Sequence, residues 1–441
     1  MKPVRLLIAV AVLAALGGLV WYSEKHPPET KSDTKTEKVI SVEQAQLQKI
    51  QIGRPSGEGV TLEKAADGKW KMTAPKPYRV DEGTADSLAR DFTTLNADRV
   101  LEENNADWKG FGLDPGKLWV EGWTKDGKHY KITLGDDAPV GSIVYGRLEG
   151  SPKLYAIPSY AKVGLDRQPS DLRDKRMLPF ESDKASRITL TQGGQTVEFS
   201  KSGTNWQIVK PTPLRADNLA VDDVVRAVRD GVFESVLDEG DKPSAQYSFS
   251  SPYAVFEAVD PAGTHTLTVG KAKDNSYYAK TTTFPGIFKI SNTLGDNLAK
   301  KLDDFRNKKL FDFAWSDPQK IEMREGATQL TAEKKDTKWL AATAGNKELP
   351  ADKVQGLIDL LRNLTAKNFP ANDAAAQAKY GLKQPSIEAR VTSDDGKRVE
   401  RVLIAAGPES KYFAARENEA PTYEIDKSAY DDLHKALEGL K

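Results

Sequence analysis

The stretch DGKW at 67–70 places a tight-turn dipeptide directly before a tryptophan, and the chain repeats this arrangement twice. The same pattern reads GTNW at 203–206 and DTKW at 336–339, so Trp70, Trp206 and Trp339 follow one another at steps of 136 and 133 residues. Other landmarks keep these steps: FGLDP begins at residue 111, YSFSSP at 247 and YGLKQP at 380. Self-similarity at a fixed period is the signature of an internal repeat. The sequence therefore predicts three copies of one unit.

Each copy begins with a strand and a turn that lead into the tryptophan. The strands read VTLEK, TVEFSK and TQLTAEK, and a second strand is predicted to start at each tryptophan. Because side chains alternate along a strand, Trp70 shares a face with Met72, and Trp206 shares one with Ile208. Each ring is predicted to cover the core of its own unit. Stacking of a ligand on the ring is the alternative.

A helix is predicted after each hairpin, with an aspartate at its start. Asp81, Asp217 and Asp352 are predicted to cap these helices, since a carboxylate accepts hydrogen bonds from the free amides of a first turn. Apolar residues at helical spacing follow each aspartate. Glycine-turn hairpins, short strands and a closing helix, such as SNTLGDNLAKKLDDF in the second copy, complete each unit. The predicted fold class is α+β, with three tandem antiparallel-sheet-plus-helices units at 39–179, 180–312 and 313–441.

The N-terminus predicts a membrane anchor. Two cations in MKPVR precede an uncharged run over residues 6–22, which spans about 25 Å as a helix and ends in an aromatic pair. We expect an uncleaved single-pass helix at 1–22 with its N-terminus in the cytoplasm; a cleaved signal peptide is the alternative. The polar stretch 23–38 is predicted to be a tether. Both alternatives place the remaining chain outside the cytoplasm, on the periplasmic side of the inner membrane.

Composition excludes several functions. The 441 residues contain 64 Lys and Arg and 64 Asp and Glu, so no net field favours nucleic acid, and no cysteine is present. Four histidines are scattered through the chain, and no HExxH, GxSxG, GxGxxG or phosphate-loop pattern occurs. We therefore predict a protein without catalytic residues, metal or cofactor. A hydrolase with an unrecognised site is the alternative.

Two features suggest binding surfaces. The junctions LRDKRMLPF at 172–180 and FRNKKLFDF at 305–313 combine cations with apolar residues. They are predicted to be linkers that bury their apolar residues and leave the cations in solvent; an anionic headgroup site is the alternative. In addition, a late strand of each unit places aromatics beside a cation, a mixture that stacks on sugars or peptides, although packing on the sheet explains it equally. The candidate binding residues are Tyr145, Arg147, Tyr278, Lys280, Tyr412 and Arg416.

These motifs together resemble a known family. The N-terminal anchor, the DGKW hairpin, the helix that an aspartate begins, YGLKQP and SYYAKT are similar to the bacterial domain-of-unknown-function family 4340. The resemblance covers nearly all of residues 39–441. It implies an exported, membrane-associated protein, often encoded beside gliding-type ABC transporter components, and it supplies no catalytic residues.

The expected function is therefore a non-enzymatic, membrane-anchored extracytoplasmic protein. We expect it to bind a partner as an accessory module of an ABC-type transport complex. We also expect residues 6–22 to anchor it in the bilayer. The alternative is a module that binds cell-envelope glycan or lipid.

Overall fold

A computed structural model describes residues 36–238, 247–313 and 317–441. The chain divides into two compact units, Met1–Lys175 and Arg176–Lys441. The predicted membrane anchor at 6–22 lies outside the described residues, as does nearly all of the tether at 23–38. No helix among the described residues is long and apolar enough to span a bilayer.

The first unit contains one large antiparallel sheet with helices on one side. Its strands are β1 (Glu37–Lys38), β2 (Leu47–Gly53), β3 (Val60–Lys64), β4 (Trp70–Ala74), β5 (Asn96–Ala97), β6 (Arg99–Glu102), β7 (Leu118–Thr124), β8 (His129–Asp137), β9 (Ile143–Leu148) and β10 (Leu154–Pro158). Its helices are α1 (Glu82–Thr93), α2 (Ser159–Leu165) and α3 (Pro169–Leu172). Eight strands pair in the order β4-β3-β2-β7-β8-β9-β10-β6, and β1 pairs with β5.

The second unit contains two further sheets of the same design. One consists of β11 (Arg187–Gln192), β12 (Gln195–Ser202), β13 (Asn205–Lys210), β14 (Leu214–Arg215), β15 (Phe233–Asp238), β16 (Ala254–Asp260), β17 (Gly263–Lys271), β18 (Tyr277–Thr281) and β19 (Ile287–Ile290), with helices α4 (Asn218–Asp230) and α5 (Asn292–Asn297). The other consists of β20 (Lys320–Glu325), β21 (Thr328–Lys335), β22 (Lys338–Ala341), β23 (Lys347–Glu348), β24 (Asn368–Ala371), β25 (Ile387–Ser393), β26 (Arg398–Ala406), β27 (Tyr412–Arg416) and β28 (Thr422–Ile425), with helices α6 (Ala351–Arg362) and α7 (Lys427–Glu438).

All three sheets share one strand order. The second reads β14-β13-β12-β11-β16-β17-β18-β19-β15 and the third β23-β22-β21-β20-β25-β26-β27-β28-β24, which is the order of the first with one short strand added at the edge. Every strand pair is antiparallel. The prediction of repeated α+β units built on antiparallel sheets is confirmed.

The hairpin tryptophans lie in the cores, as predicted. Trp70, Trp206 and Trp339 are 3%, 3% and 6% exposed. The indole N–H of Trp70 donates to Asp86 on α1 at 3.0 Å, and that of Trp206 donates to Asp222 on α4 at 2.8 Å. A hydrogen bond to the following helix satisfies the polar edge of a buried indole. The rings of Trp70 and Trp206 therefore join their hairpin strands to the helices that follow.

Two of the three predicted helix caps are correct. Asp81 accepts the N–H of Thr84 at 2.8 Å, and Asp217 accepts that of Leu219 at 3.0 Å. The prediction for Asp352 is wrong, because α6 begins after Pro350 and places Asp352 inside the first turn. The closing helix predicted over SNTLGDNLAKKLDDF is also shorter than expected: α5 ends at Asn297, and a single 3-10 turn follows at Leu302–Phe305.

Alternation along the strands gives each sheet a core face and an open face. In β7, Leu118, Val120 and Gly122 are buried, while the residues between them are half-buried. Gly122 lets α1 approach, since a Cβ there would lie 2.2 Å from the ring of Phe92. We call the side of each sheet opposite the helices its open face. The intervening residues of each strand lie on this face.

Candidate functional site

The predicted binding residues in the first two repeats lie on the open face, against a loop of their own repeat. Tyr145 packs edge-on against Phe111 with ring centroids 4.8 Å apart, and the guanidinium of Arg147 lies 4.3 Å from the ring of Trp108. Tyr278 packs on Tyr247 at 5.0 Å. The ammonium of Lys280 lies 5.5 Å from the ring of Phe249. These aromatic and cationic side chains therefore pack the loop before β7 against the first sheet and the loop before β16 against the second.

The third repeat shows that the predicted residues Tyr412 and Arg416 are not equivalent to the other four. Strand pairing matches Phe413 to Tyr145 and Tyr278, because each of them pairs with the third residue of the next strand. Phe413 packs on the loop residue Tyr380 at 4.6 Å. Tyr412 lies on the opposite face, where it packs on Tyr430 of α7 at 4.4 Å. The sequence placed the third site one residue out of register, which moves a side chain to the other face.

Arg416 belongs instead to a buried network between the second and third repeats. Its guanidinium donates to Glu419 at 2.8 Å, to Glu400 at 3.0 Å and to the carbonyl of Leu310 at 2.6 Å. Arg215, at the edge strand β14 of the second sheet, donates to Asp312 at 2.6 Å and approaches Glu419 at 3.1 Å. Burial disfavours the charged form of Arg215, but the carboxylates of Glu419 and Asp312 outweigh it and raise its pKa. The network is a structural joint within the second unit.

The junction at 305–313 contributes a buried cation to the same region. Arg306 has a side chain only 3% exposed, and its guanidinium lies 3.6 Å from the ring centroid of Phe369 in the third repeat. Burial lowers the pKa of Arg306, opposed by the carboxylate of Asp303 at 3.3 Å. The prediction that the junction cations are solvated is wrong for this residue. The predicted burial of the apolar junction residues is confirmed by Leu310, Phe311 and Phe313.

A cavity of about 590 Å³ lies beside the aromatic pair of the second repeat. Tyr247 and Tyr278 line it together with Lys271 and Lys273. The ammonium of Lys271 lies 4.8 Å from the ring of Tyr277. The cavity is wide enough for a small ligand.

The open face of the first sheet carries two tryptophans that are not among the binding residues predicted from the sequence. Trp119 and Trp123 lie on β7 with Glu121 between them, and all three point away from the helices. The indole of Trp119 lies flat on β2, since a Cβ on its register partner Gly53 would be 2.2 Å from the ring. The ring of Trp123 stacks on His129 at 4.9 Å with an interplanar angle of 30°. We call Trp119, Glu121, Trp123, Lys131 and Lys49 the indole face.

Each lysine of the indole face is paired with a carboxylate. Lys131 lies 2.7 Å from Glu121, and Lys49 lies 3.1 Å from Glu63. The same two ammonium groups lie 5.8 Å and 5.2 Å from the rings of Trp119 and Trp123. The surface therefore presents planar apolar rings bordered by compensated charges, with no excess of either sign.

The open face of the third sheet is charged instead. Glu388 on β25 accepts from Arg324 at 2.6 Å and from Arg401 at 2.6 Å, and Arg401 also donates to Glu417 at 2.8 Å. Hydrogen bonds from Arg401 lower the pKa of Glu388. Arg390, two residues further along β25, is exposed and forms no ion pair with any described residue. A shallow depression of about 220 Å³ lies around it. We call Arg324, Glu388, Arg390 and Arg401 the arginine face.

His265 and Asp260 of the second repeat form a structural contact and are not part of a cluster of metal-ligating side chains. In the described parts of the chain, no group of three or more His, Asp or Glu side chains is placed to hold a metal ion. His265 and Asp260 form a pair at 2.9 Å, but Asp260 also accepts the backbone N–H groups of Glu181 and Ala262. Although burial opposes it, these hydrogen bonds lower the pKa of Asp260 to about 2. The pair closes a turn.

Repeat comparison supplies the signal that identifies the indole face. The sequence LWVEGWT alternates, which predicts that Trp119, Glu121 and Trp123 share one side of the strand. The corresponding strands read AVFEAVD and IEARVTS, and pairing aligns Trp119 with Val255 and Glu388. Only one repeat has a tryptophan at this position of the open face. The fold itself therefore does not require a large residue there.

Comparison with known families agrees with the sequence motifs. The family model described as "Domain of unknown function (DUF4340)" matches residues 22–101, 70–205, 206–352 and 339–440. These matches cover most of the chain and recur along it, so the protein belongs to this family. A search of curated proteins found no match.

Proposed function

We propose that the protein is a non-enzymatic accessory module that is anchored on the extracytoplasmic side of a membrane and binds a protein partner. We take this partner to be a subunit of an ABC-type transport complex, because the resembled family is often encoded beside gliding-type ABC transporter components. The observation that carries the proposal is the arginine face, where ion-paired side chains flank Arg390, which is exposed and forms no ion pair with any described residue.

The arginine face suits a protein partner better than a small ligand. Its depression of about 220 Å³ is shallow and lies on a flat sheet, whereas small-molecule sites bury most of their ligand. Glu388 fixes Arg324 and Arg401 on either side, so these side chains lose little further freedom on binding. Arginine is enriched among the residues that dominate the energy of protein interfaces. Arg390 is thus placed to receive an acidic group of the partner.

The contacts of the aromatic and cationic strand residues argue against the alternative function, a module that binds cell-envelope glycan or lipid. Tyr145, Arg147, Tyr278 and Lys280 each pack on an aromatic ring of a loop in their own repeat. A glycan or lipid headgroup that stacked on these rings would have to displace the loop that precedes β7 or β16.

In-cell crosslinking tests the proposal. The tagged full-length protein is expected to capture membrane proteins that include a transporter permease or its accessory subunit, and Arg390→Glu is expected to reduce this capture at least about tenfold. A version that starts at residue 39 should capture less, because tethering raises the local concentration.

Arg187→Glu is the matched control. Arg187 is an exposed strand residue of the second sheet, and it forms no ion pair with the described residues. It should leave capture unchanged. Equal capture by wild type and Arg390→Glu would reject the arginine face as the contact, and hydrolysis of an envelope substrate by the purified protein would reject the non-enzymatic function.

A further inference from the structure

We propose that the indole face of the first sheet is a binding site for a neutral oligosaccharide or polysaccharide. This inference does not depend on the protein partner proposed above, because it concerns another repeat and another set of side chains.

The two indoles have no role that the fold requires. Strand pairing matches Trp119 to Val255 in the second sheet and to Glu388 in the third, and it matches Trp123 to Val259 and Thr392. The core-facing neighbours stay apolar in all three sheets, as Val120, Phe256 and Ala389 show. The same sheet therefore forms with a small apolar or a polar residue at both positions. An indole on an open face needs another explanation than packing.

Gly53 prepares the surface for a flat ligand. The glycine pairs with Trp119, and the space that a side chain would fill is occupied by the indole. At the corresponding positions the second sheet has Thr191 and the third has Arg324. Glycine thus occurs where the tryptophan occurs. It lets the ring lie parallel to the sheet and leaves the opposite face of the ring toward solvent and the Lys131 ammonium.

The chemistry of the face selects a carbohydrate. The C–H groups on one side of a pyranose ring pack on an indole, and its hydroxyl groups need hydrogen-bond partners at the ring edge. Glu121, Lys131 and Lys49 border the rings and can exchange hydrogen bonds with hydroxyls. Since each of these charges has a counter-charge on the protein, a neutral ligand leaves none unpaired. A nucleic acid would instead require an excess of cations.

The spacing of the indoles indicates a chain rather than a monosaccharide. Trp119 and Trp123 are four residues apart on one strand, so their Cα atoms are about 13 Å apart at a rise of about 3.3 Å per residue. Two rings at this separation contact two non-adjacent sugars of one chain, while Glu121 lies beneath the sugar between them.

Titration calorimetry of the full-length protein tests the site, in a detergent without a sugar headgroup. The probes are hexasaccharides of β-1,4-linked N-acetylglucosamine and of β-1,4-linked glucose, together with sedimentation on isolated cell-wall sacculi. Wild type is expected to bind at least one probe. The double variant W119V/W123V carries the residues that the second sheet uses at these positions, and it should bind at least about tenfold more weakly, with unchanged circular dichroism.

Two further variants separate stacking from stability. Gly53→Thr keeps both tryptophans but pushes the indole of Trp119 off the sheet, and it should weaken binding severalfold. Trp108→Val removes a half-buried indole elsewhere in the first unit, and it should leave binding unchanged. If W119V/W123V loses stability, Trp119→Tyr and Trp123→Tyr should retain most of the binding, since each keeps a stacking ring.

Three results would overturn the proposal. They are binding by W119V/W123V equal to that of wild type, absence of binding of all three probes to wild type, and capture of a protein through Trp119 and Trp123 without any glycan binding. The Arg390→Glu variant should bind glycan like wild type, so failure of this site and failure of the proposed protein partner remain distinguishable.

Discussion

The open faces of the first and third sheets differ far more than their core faces do. On the core side, Val120 of β7 corresponds to Ala389 of β25, and both are fully buried. On the open side, Trp119 and Trp123 correspond to Glu388 and Thr392, so an indole surface in one repeat becomes an ion-pair surface in the other. The comparison shows that the core face maintains the fold, whereas the open face is free to acquire a different chemistry in each repeat.

The largest expected effect on stability comes from a comparison of two substitutions, one of a tryptophan on a core face and one of a tryptophan on an open face. Trp206→Ala should lower the free energy of unfolding by about 4 kcal/mol, because it empties a buried site and removes the bond to Asp222. Trp119→Val should cost less than about 1 kcal/mol, since an equivalent valine exists in the second sheet. Urea denaturation followed by circular dichroism measures both. Similar losses would contradict the division between the faces.

A second test concerns the joint between the second and third repeats. Arg215→Leu should lower the free energy of unfolding by about 2 kcal/mol, because it leaves the carboxylates of Asp312 and Glu419 with one nearby guanidinium, that of Arg416, in place of two. Calorimetry of the full chain should then show an added or broadened transition.

Lys210→Leu, which breaks an exposed ion pair with Glu198, is the control and should change stability by less than about 0.5 kcal/mol. A single sharp transition at the wild-type temperature for Arg215→Leu would show that the joint does not couple the repeats.

A third test uses pH at a position where the repeats differ. Asp260 has a pKa of about 2 in the folded protein, below the value of about 3.9 in an unfolded chain. A depressed pKa adds stability that is complete above about pH 4 and is lost as the pH falls through about 2. Asp260→Asn should therefore be less stable than wild type at pH 6, and the two should converge near pH 2.

Thermal unfolding at pH 6, 4, 3 and 2 follows this difference for Asp260→Asn. Asp183→Asn serves as a control, because Asp183 is an exposed residue of the same repeat. A stability difference for Asp260→Asn that stays constant down to pH 2 would exclude the carboxylate as its source.

The smallest expected effect lies in the loop that covers the open face. The residue after the loop aromatic has φ of 64° at Gly112, 57° at Ser248 and 77° at Gly381. Ser248→Gly should raise the free energy of unfolding by about 0.5 kcal/mol, since relief of the left-handed conformation slightly exceeds the entropy cost of glycine. Gly112→Ser should lower it, because a Cβ there would lie 2.7 Å from Asp136. Denaturant midpoints measure both, and destabilisation by Ser248→Gly would contradict the argument.

The repeat and its core could be predicted from the sequence because they depend on local spacing. Buried tryptophans, capping by Asp81 and Asp217 and the apolar helix residues Leu88, Val224 and Leu361 all follow from periodicity within one element. Copying a position from repeat to repeat was less reliable. Choosing the nearest residue of the same type placed the helix cap at Asp352 instead of Pro350, which lies 133 residues after Asp217. It also placed the third aromatic at Tyr412, on the opposite face from Phe413.

The candidate surfaces could not be predicted from the sequence, because they form between residues that strand pairing brings together. Trp119 and Gly53 are far apart in the chain, and their contact follows from the β2–β7 register. The network of Arg215, Asp312 and Arg416 joins three segments from two repeats. Residues of this kind look like ordinary surface charges until the sheet order is known.

The short strands β14 and β23 affect how such a chain behaves at high concentration. A protein with three similar antiparallel sheets carries several edges that could pair with a neighbouring molecule, and identical patterning makes such pairing favourable. At one edge of the second and third sheets, the last strand has two residues, Leu214–Arg215 and Lys347–Glu348. A strand of two residues offers few free amides and carbonyls, and here each contains at least one charged side chain. At this edge, repetition of the sheet therefore adds little surface on which a fibril could grow.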